Sequence, residues 1–137
     1  MRPPVISRLL KMTKNYPDIT RSITDSIRKL RADIPDVMKG FGTMAQAATR
    51  AGALDHKTKE LIALSLGVAA HCDACIGFHV QALRKVGATR LELEEALGMA
   101  VYMGGGPSLM YAAEAIQAWE QFSSTTESSP SAVSATA

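Results

Sequence analysis

"LIALSLGVAAHCDACIGFH", residues 61–79, holds the strongest structural signal in the chain and both of its cysteines. From Leu61 to Ala70 only Ser65 and Gly67 interrupt the apolar residues. A helix that is apolar on all sides is buried on all sides, and a chain of 137 residues has little material with which to surround one. The pattern predicts either a self-associating protein or a central helix in a monomeric bundle.

The second half of this stretch lines up two sulfurs and an imidazole. Cys72, Cys75 and His79 are spaced i, i+3, i+7, so on a helix they lie along one stripe. If that helix begins near Cys72, its unpaired N–H groups and its dipole favour a thiolate in the first turn. Glu60, one helix earlier, either points to solvent or turns toward the stripe, where it would orient the ring of His79.

Capping residues on both sides of the stretch predict an all-α fold. Asp55 is a plausible N-cap for the helix that carries Glu60, and we expect His56 beside it to be solvated. Thr89 and Glu92 have the spacing of a capping box. The sequence also predicts a short helix before Pro17 and helices over about 18–31, from Pro35 to near Gly52 and from Pro107 to Phe122. The helix that carries the cysteines should end at Gly87, and the next helix should break at Gly104 to Pro107. The expected fold is a compact bundle of about six helices that forms oligomers.

Charge is unevenly distributed along the chain. Residues 1–50 hold ten Lys or Arg against four Asp, whereas the remainder holds five against nine acidic residues. The basic residues are separated by apolar ones without interleaved aromatics, which argues against a nucleic-acid partner and favours a solvated face or a subunit contact. No apolar run reaches the ~18 residues of a membrane span, and the start lacks the apolar stretch of a secretory signal. We therefore expect a cytoplasmic protein with no nucleic-acid or membrane partner, although the basic, acid-free start leaves a transit peptide open.

Cysteines at C-x-x-C spacing in a reducing compartment require a chemical explanation. The run "DHKTKELIALSLGVAAHCDACIGFHVQALRKVGATRLELEEALGMAVYMGGGP" resembles the alkylhydroperoxidase D-like proteins of the carboxymuconolactone decarboxylase superfamily over about residues 35–120. Their signature is a Glu, eleven residues, then Cys-x-x-Cys-x-x-x-His, met here by Glu60, Cys72, Cys75 and His79. The Lys59–Glu60 pair, the G-A-T-x-x-E-L helix start and the Gly-Gly break accompany it.

The resemblance implies an oxidoreductase that forms homotrimers or homohexamers and reduces alkyl hydroperoxides or disulfides. It assigns Cys75 as the peroxidatic thiol, Cys72 as the resolving thiol, and His79 with Glu60 as the proton relay. A small-molecule peroxide and a dithiol or lipoyl-type reductant protein are the implied partners, and no cofactor or metal is required. One position departs from the family pattern, because Ala74 stands where the alkylhydroperoxidase D type has a second histidine, and His71 adjoins the site only from the other side.

We expect three segments: a basic helical N-terminal arm over 1–34, the alkylhydroperoxidase D-like domain over 35–122, and a disordered Ser/Thr-rich tail over 123–137. Three alternatives to the peroxidase remain at this stage. Two thiolates, an imidazole and a carboxylate also form a four-ligand zinc set, although structural zinc sites usually draw a ligand pair from a separate loop. A carboxymuconolactone decarboxylase-like lyase would need no thiol pair, and a non-enzymatic redox-sensing module would form the disulfide without turnover.

Overall fold

The computed structural model describes residues 13–127, and within them the chain forms six α-helices and no strand. The helices are α1 (Tyr16–Asp33), α2 (Pro35–Thr49), α3 (His56–Ala69), α4 (Asp73–Lys85), α5 (Arg90–Gly104) and α6 (Gly106–Glu127). The predicted all-α fold is confirmed, while most of the short helix expected before Pro17 lies outside the described residues. None of the helices described is long and apolar enough to cross a membrane.

The predicted capping residues set the ends of the central helices. The Asp55 carboxylate accepts a hydrogen bond from the Thr58 N–H at 2.7 Å at the start of α3. At the start of α5, Thr89 and Glu92 form both hydrogen bonds of a capping box. Gly87, with φ of +76°, follows α4 in the left-handed conformation that a glycine adopts without steric cost. These local signals explain why the three helices begin and end where the sequence predicts.

The glycine-rich break is confined to one residue, Gly105, which lies between α5 and α6 with φ of +72°. A Cβ on Gly104 would collide with the side chain of Ser108, so the glycine allows the two helices to approach closely at the break. Beyond the break, α6 continues to Glu127. The prediction of a disordered tail is therefore wrong for residues 123–127, since no Pro or Gly interrupts the helix before them; residues 128–137 lie outside the described part.

The core lies between α3, α4, α5 and α6, and α1 closes one side of it. Its largest fully buried apolar side chains are Tyr16, Leu64, Ile76, Leu83, Leu93, Val68 and Val80. Tyr16 comes from the segment predicted as the N-terminal arm, so α1 packs as part of the bundle. Small residues on α6, among them Ala115 and Ala118, are fully buried and allow that helix to approach the others closely.

Among the described residues, α2 and α3 are two of the helices that leave apolar surface uncovered. No residue of α2 is buried, and Val37 and Phe41 are 65% and 60% exposed. On α3, Leu66 is 65% and Ile62 is 45% exposed, so the helix predicted to be buried all round is buried on one face only. The described residues of one chain therefore do not surround α3.

Candidate active site

The turn between α3 and α4 carries the first cysteine into position. The His71 N–H donates to the Val68 carbonyl at 3.1 Å and the Cys72 N–H donates to the Gly67 carbonyl at 3.0 Å. This is the paired hydrogen bonding of a Schellman motif, in which the residue after the C-cap adopts a left-handed conformation. Here that residue is His71, with φ of +55°, where glycine is the usual occupant. Its ring stacks on Tyr111 of α6 with centroids 4.5 Å apart.

Cys72 is the N-cap of α4, and Cys75 lies in the first turn. The backbone of Cys72 is extended and its sulfur accepts a hydrogen bond from the Cys75 N–H at 3.3 Å. The two cysteines are joined by a disulfide, with Cα atoms 5.2 Å apart, and both are partly exposed. The helix thus restarts at Cys72 as predicted, and its N-terminal N–H groups favour negative charge on either sulfur once the bond is reduced.

A glycine on α3 lets the two helices meet beside the disulfide. A Cβ added to Gly67 would lie 3.2 Å from the Cβ of Cys75, closer than most such contacts in proteins. The first turn of α4 therefore rests directly on the backbone of α3. This contact fixes the distance between the cysteine pair and the residues that α3 contributes to the site.

Glu60 turns inward and contacts His79. Its side chain is only 6% exposed, and its Oε2 lies 2.6 Å from Nδ1 of His79, a residue nineteen positions later on α4. Since an ionised carboxylate only accepts hydrogen bonds, the imidazole Nδ1–H is the donor, which leaves Nε2 free to accept a proton. His79 follows Cys75 by one turn and shares its face of α4. In the disulfide form no hydrogen bond among residues 13–127 joins the ring of His79 to a sulfur.

His56 is a third member of this group that the sequence analysis did not place there. Its Nδ1 donates to the Thr49 carbonyl at 2.8 Å, and its Nε2 lies 3.8 Å from Oε1 of Glu60. The side chain is 43% exposed, so it is in contact with solvent as expected while Nε2 of its ring lies near Glu60. The i, i+4 spacing of His56 and Glu60 was the available signal, since residues at that spacing share a helix face.

The zinc alternative gains no geometric support. The two sulfurs are bonded to each other, and the described residues contain no group of three or more His, Cys, Asp or Glu side chains placed to hold a metal ion. Three of the four candidate ligands come from α4 and its N-cap, which differs from the usual arrangement of structural zinc ligands.

Comparison with known proteins places this constellation in a family. Residues 35–118 match the model of the carboxymuconolactone decarboxylase family. The chain belongs to the carboxymuconolactone decarboxylase family. The match spans most of α2 to α6 and includes all four residues of the signature, whereas α1 precedes it.

Other members of the carboxymuconolactone decarboxylase family share the fold. A family protein from Legionella pneumophila, crystallised in its apo form, is 60% identical, with a TM-score of 0.79 over 81% of this chain and 99% of that one. A family protein from Thermotoga maritima with a suggested role in the antioxidative response is 28% identical, with a TM-score of 0.68 over 77% and 93% of the two chains. An uncharacterised protein of Cupriavidus necator is 43% identical over 82 residues, which cover 60% of this chain and 73% of that protein.

Proposed function

We propose that this member of the carboxymuconolactone decarboxylase family is a thiol-dependent oxidoreductase that reduces alkyl hydroperoxides or disulfides. The observation that carries the proposal is the 2.6 Å contact between Glu60 and His79 beside the Cys72–Cys75 pair. A buried carboxylate orients the imidazole, and that imidazole lies one turn from a cysteine at a helix N-terminus. Nucleophile, base and orienting group are the three parts that activate a thiol. The suggested antioxidative role of the Thermotoga maritima relative agrees with this chemistry.

The reaction begins with the Cys75 thiolate. Nε2 of His79 accepts the thiol proton, and the thiolate attacks the terminal oxygen of the hydroperoxide. The O–O bond breaks, Cys75 becomes a sulfenic acid, and the alkoxide leaves as alcohol after taking a proton from His79. Glu60 holds the imidazolium in place between these two transfers.

The second half of the cycle belongs to Cys72. Its thiol attacks the sulfenic sulfur of Cys75, forming the disulfide and releasing water. An external dithiol then restores the two thiols by exchange, itself becoming a disulfide. We propose that a small dithiol or a lipoyl-bearing protein serves as this reductant, entering at Cys72.

The exposed apolar faces of α2 and α3 support self-association, and we propose a homotrimer or homohexamer. Leu66 and Ile62, together with Met99 of α5, line an apolar groove on one side of the chain. Large exposed apolar surfaces on a chain of this size usually mark contacts between subunits.

Peroxide turnover by single-cysteine variants tests the proposal. The reduced protein should consume alkyl hydroperoxide with dihydrolipoamide as reductant and lose two hydrogens per chain in intact mass. Cys75→Ser should abolish consumption, whereas Cys72→Ser should consume one equivalent and retain a sulfenic acid that dimedone traps. Disulfide formation without steady-state consumption would favour the redox-sensing module. No reaction of the thiols with peroxide would rule out the peroxidase and leave disulfide reduction or the lyase.

A further inference from the structure

The N-terminal segment that precedes the family match docks against the cysteine helix. Gln121 of α6 holds its backbone at two points, since the side-chain amide donates to the Lys14 carbonyl and accepts from the Tyr16 N–H, both at 2.8 Å. Tyr16 itself is fully buried. The family match begins at residue 35, so this docked segment is an addition to the part of the chain that carries the family signature.

Lys14 and Tyr16 both reach Asp73, one of the two residues between the cysteines. Lys14 Nζ lies 3.0 Å from Oδ1 of Asp73 and 2.7 Å from Oε2 of Glu114. The Tyr16 hydroxyl lies 3.3 Å and 3.1 Å from the same two oxygens. Burial raises the pKa of Tyr16 well above its ordinary value, and the neighbouring carboxylates add to this, so the hydroxyl stays protonated and donates.

Asp73 occupies the first position of α4, where its charge acts against the chemistry of its neighbours. A carboxylate there interacts favourably with the helix N-terminus, and it repels a thiolate on either adjacent cysteine. The ammonium of Lys14 offsets that charge. Burial lowers the pKa of Lys14, but the hydrogen bonds and charges of Glu114 and Asp73 outweigh this and raise it, so the cation persists at neutral pH. Among residues 13–127, Glu114 shares the cation, the Tyr16 hydroxyl binds the same two carboxylates, and the ring centroid of Tyr111, which carries the stacked His71, lies 5.0 Å from Nζ.

We propose that Lys14 is a positioning residue that holds Asp73 and offsets its charge, and thereby sets how readily the Cys72–Cys75 disulfide is reduced. The inference rests on the redox cycle of the proposed function. Without Lys14, the carboxylate of Asp73 would lose the cation that lies 3.0 Å from it and offsets its charge beside the cysteines. Ionisation of a thiol to the thiolate stabilises the reduced state. A variant that disfavours the thiolate therefore shifts the equilibrium toward the disulfide.

The test is the equilibrium constant between dithiol and disulfide in glutathione buffers, read by alkylation and intact mass on the full chain. Lys14→Met should shift this constant toward the disulfide by about three- to fivefold, the scale for a partly exposed ion pair. Asp73→Asn keeps an oxygen acceptor but removes the charge, so it should shift the constant toward the dithiol. Lys85→Met is the matched control, because it removes the same charge from the far end of α4 and should leave the constant unchanged.

Lys14→Met and Asp73→Asn both weaken the same cluster, so a merely structural contact would shift the equilibrium constant in the same direction in both variants. Shifts in opposite directions are the result that the inference requires. Shifts of the same sign, or a Lys14→Met shift no larger than that of Lys85→Met, would overturn the inference. Gln121→Leu keeps every charge but releases the backbone of Lys14, so it should shift the constant in the direction of Lys14→Met.

These measurements need no peroxide. A wild-type pair that cannot be reduced and reoxidised would therefore count against the proposed function, whereas a cycling pair indifferent to Lys14 would count only against this inference.

Discussion

Glu60 Oε2 lies 2.6 Å from His79 Nδ1, which joins α3 to α4 through a nearly buried carboxylate. Glu60→Gln keeps the shape but loses the charge that stabilises the imidazolium. We expect kcat/KM for alkyl hydroperoxide to fall by about 10- to 100-fold. This is less than the loss expected on removing a general acid–base group itself, because His79 remains in the variant. Glu94→Gln, at an exposed position on α5, is the matched control, and equal rates for the two variants would remove Glu60 from the relay.

Tyr16→Phe should lower the free energy of unfolding by about 1–2 kcal/mol at pH 7, since two hydrogen bonds to carboxylates are lost while the ring still fills the core. The pKa of Tyr16 is raised in the folded protein. Because the pKa is raised, the contribution of the Tyr16 hydroxyl to the free energy of unfolding is complete below about pH 10, the ordinary tyrosine pKa. That contribution is lost as the pH rises above this value. Urea unfolding at pH 7 to 11.5 should therefore show the gap between wild type and Tyr16→Phe narrowing in alkali; a constant gap contradicts the assignment.

Gly77→Ala should destabilise the fold at the contact between α4 and α1. The new Cβ would lie 2.7 Å from Cγ2 of Thr20 and 3.4 Å from the ring of Tyr16, so α1 must shift. We expect a loss of about 1–3 kcal/mol, the usual range for overpacking. Gly98→Ala on α5 meets nothing within 4 Å and should instead gain about 0.5–1 kcal/mol from helix propensity. Thermal unfolding of both variants measures the contrast, and equal behaviour would argue against close packing at Gly77.

His71 offers a test of the strained turn before Cys72. Both His71→Ala and His71→Gly lose the stack on Tyr111, but only alanine retains the cost of a positive φ. The glycine variant should therefore be about 1 kcal/mol more stable than the alanine variant, as measured by denaturant unfolding. If the two were equally stable, the left-handed turn would not be present in solution.

Leu66→Glu should weaken self-association, because it places a charge in the apolar groove formed by α3 and α5. Size-exclusion chromatography with light scattering should show a smaller species than wild type. Val86→Glu, at the C-cap of α4, introduces the same charge at another exposed apolar residue and serves as the control. An oligomer unaffected by Leu66→Glu would place the subunit contact elsewhere.

Sequence reasoning succeeded where the signal is local. The boundaries of α3, α4 and α5 follow from Asp55, Gly87 and Thr89, because caps and turns depend on the few residues beside them. The placement of Cys75 and His79 one turn apart on α4 follows from the helical period alone. Each of these requires no knowledge of how the helices pack.

The remaining features depend on contacts between distant segments. The sequence of α3 alone does not determine whether Glu60 points to solvent or inward. That depends on where α4 places His79. The docking of Lys14 on Asp73 joins residues 59 positions apart, and no periodicity reports such a pair. The pattern of apolar residues on α2 does not say whether its own chain covers them, and the described residues do not.

The sulfur of Cys72 caps α4, at a position where an oxygen from Ser, Thr, Asp or Asn is the better acceptor. The helix thus begins with a weak hydrogen-bond acceptor at its N-cap, and that acceptor is the sulfur of the disulfide. Replacing Cys72 with serine should strengthen the helix and abolish the disulfide in one step, so at this residue stability and activity are in direct conflict. A search for thermostable variants of this protein would select against its chemistry here.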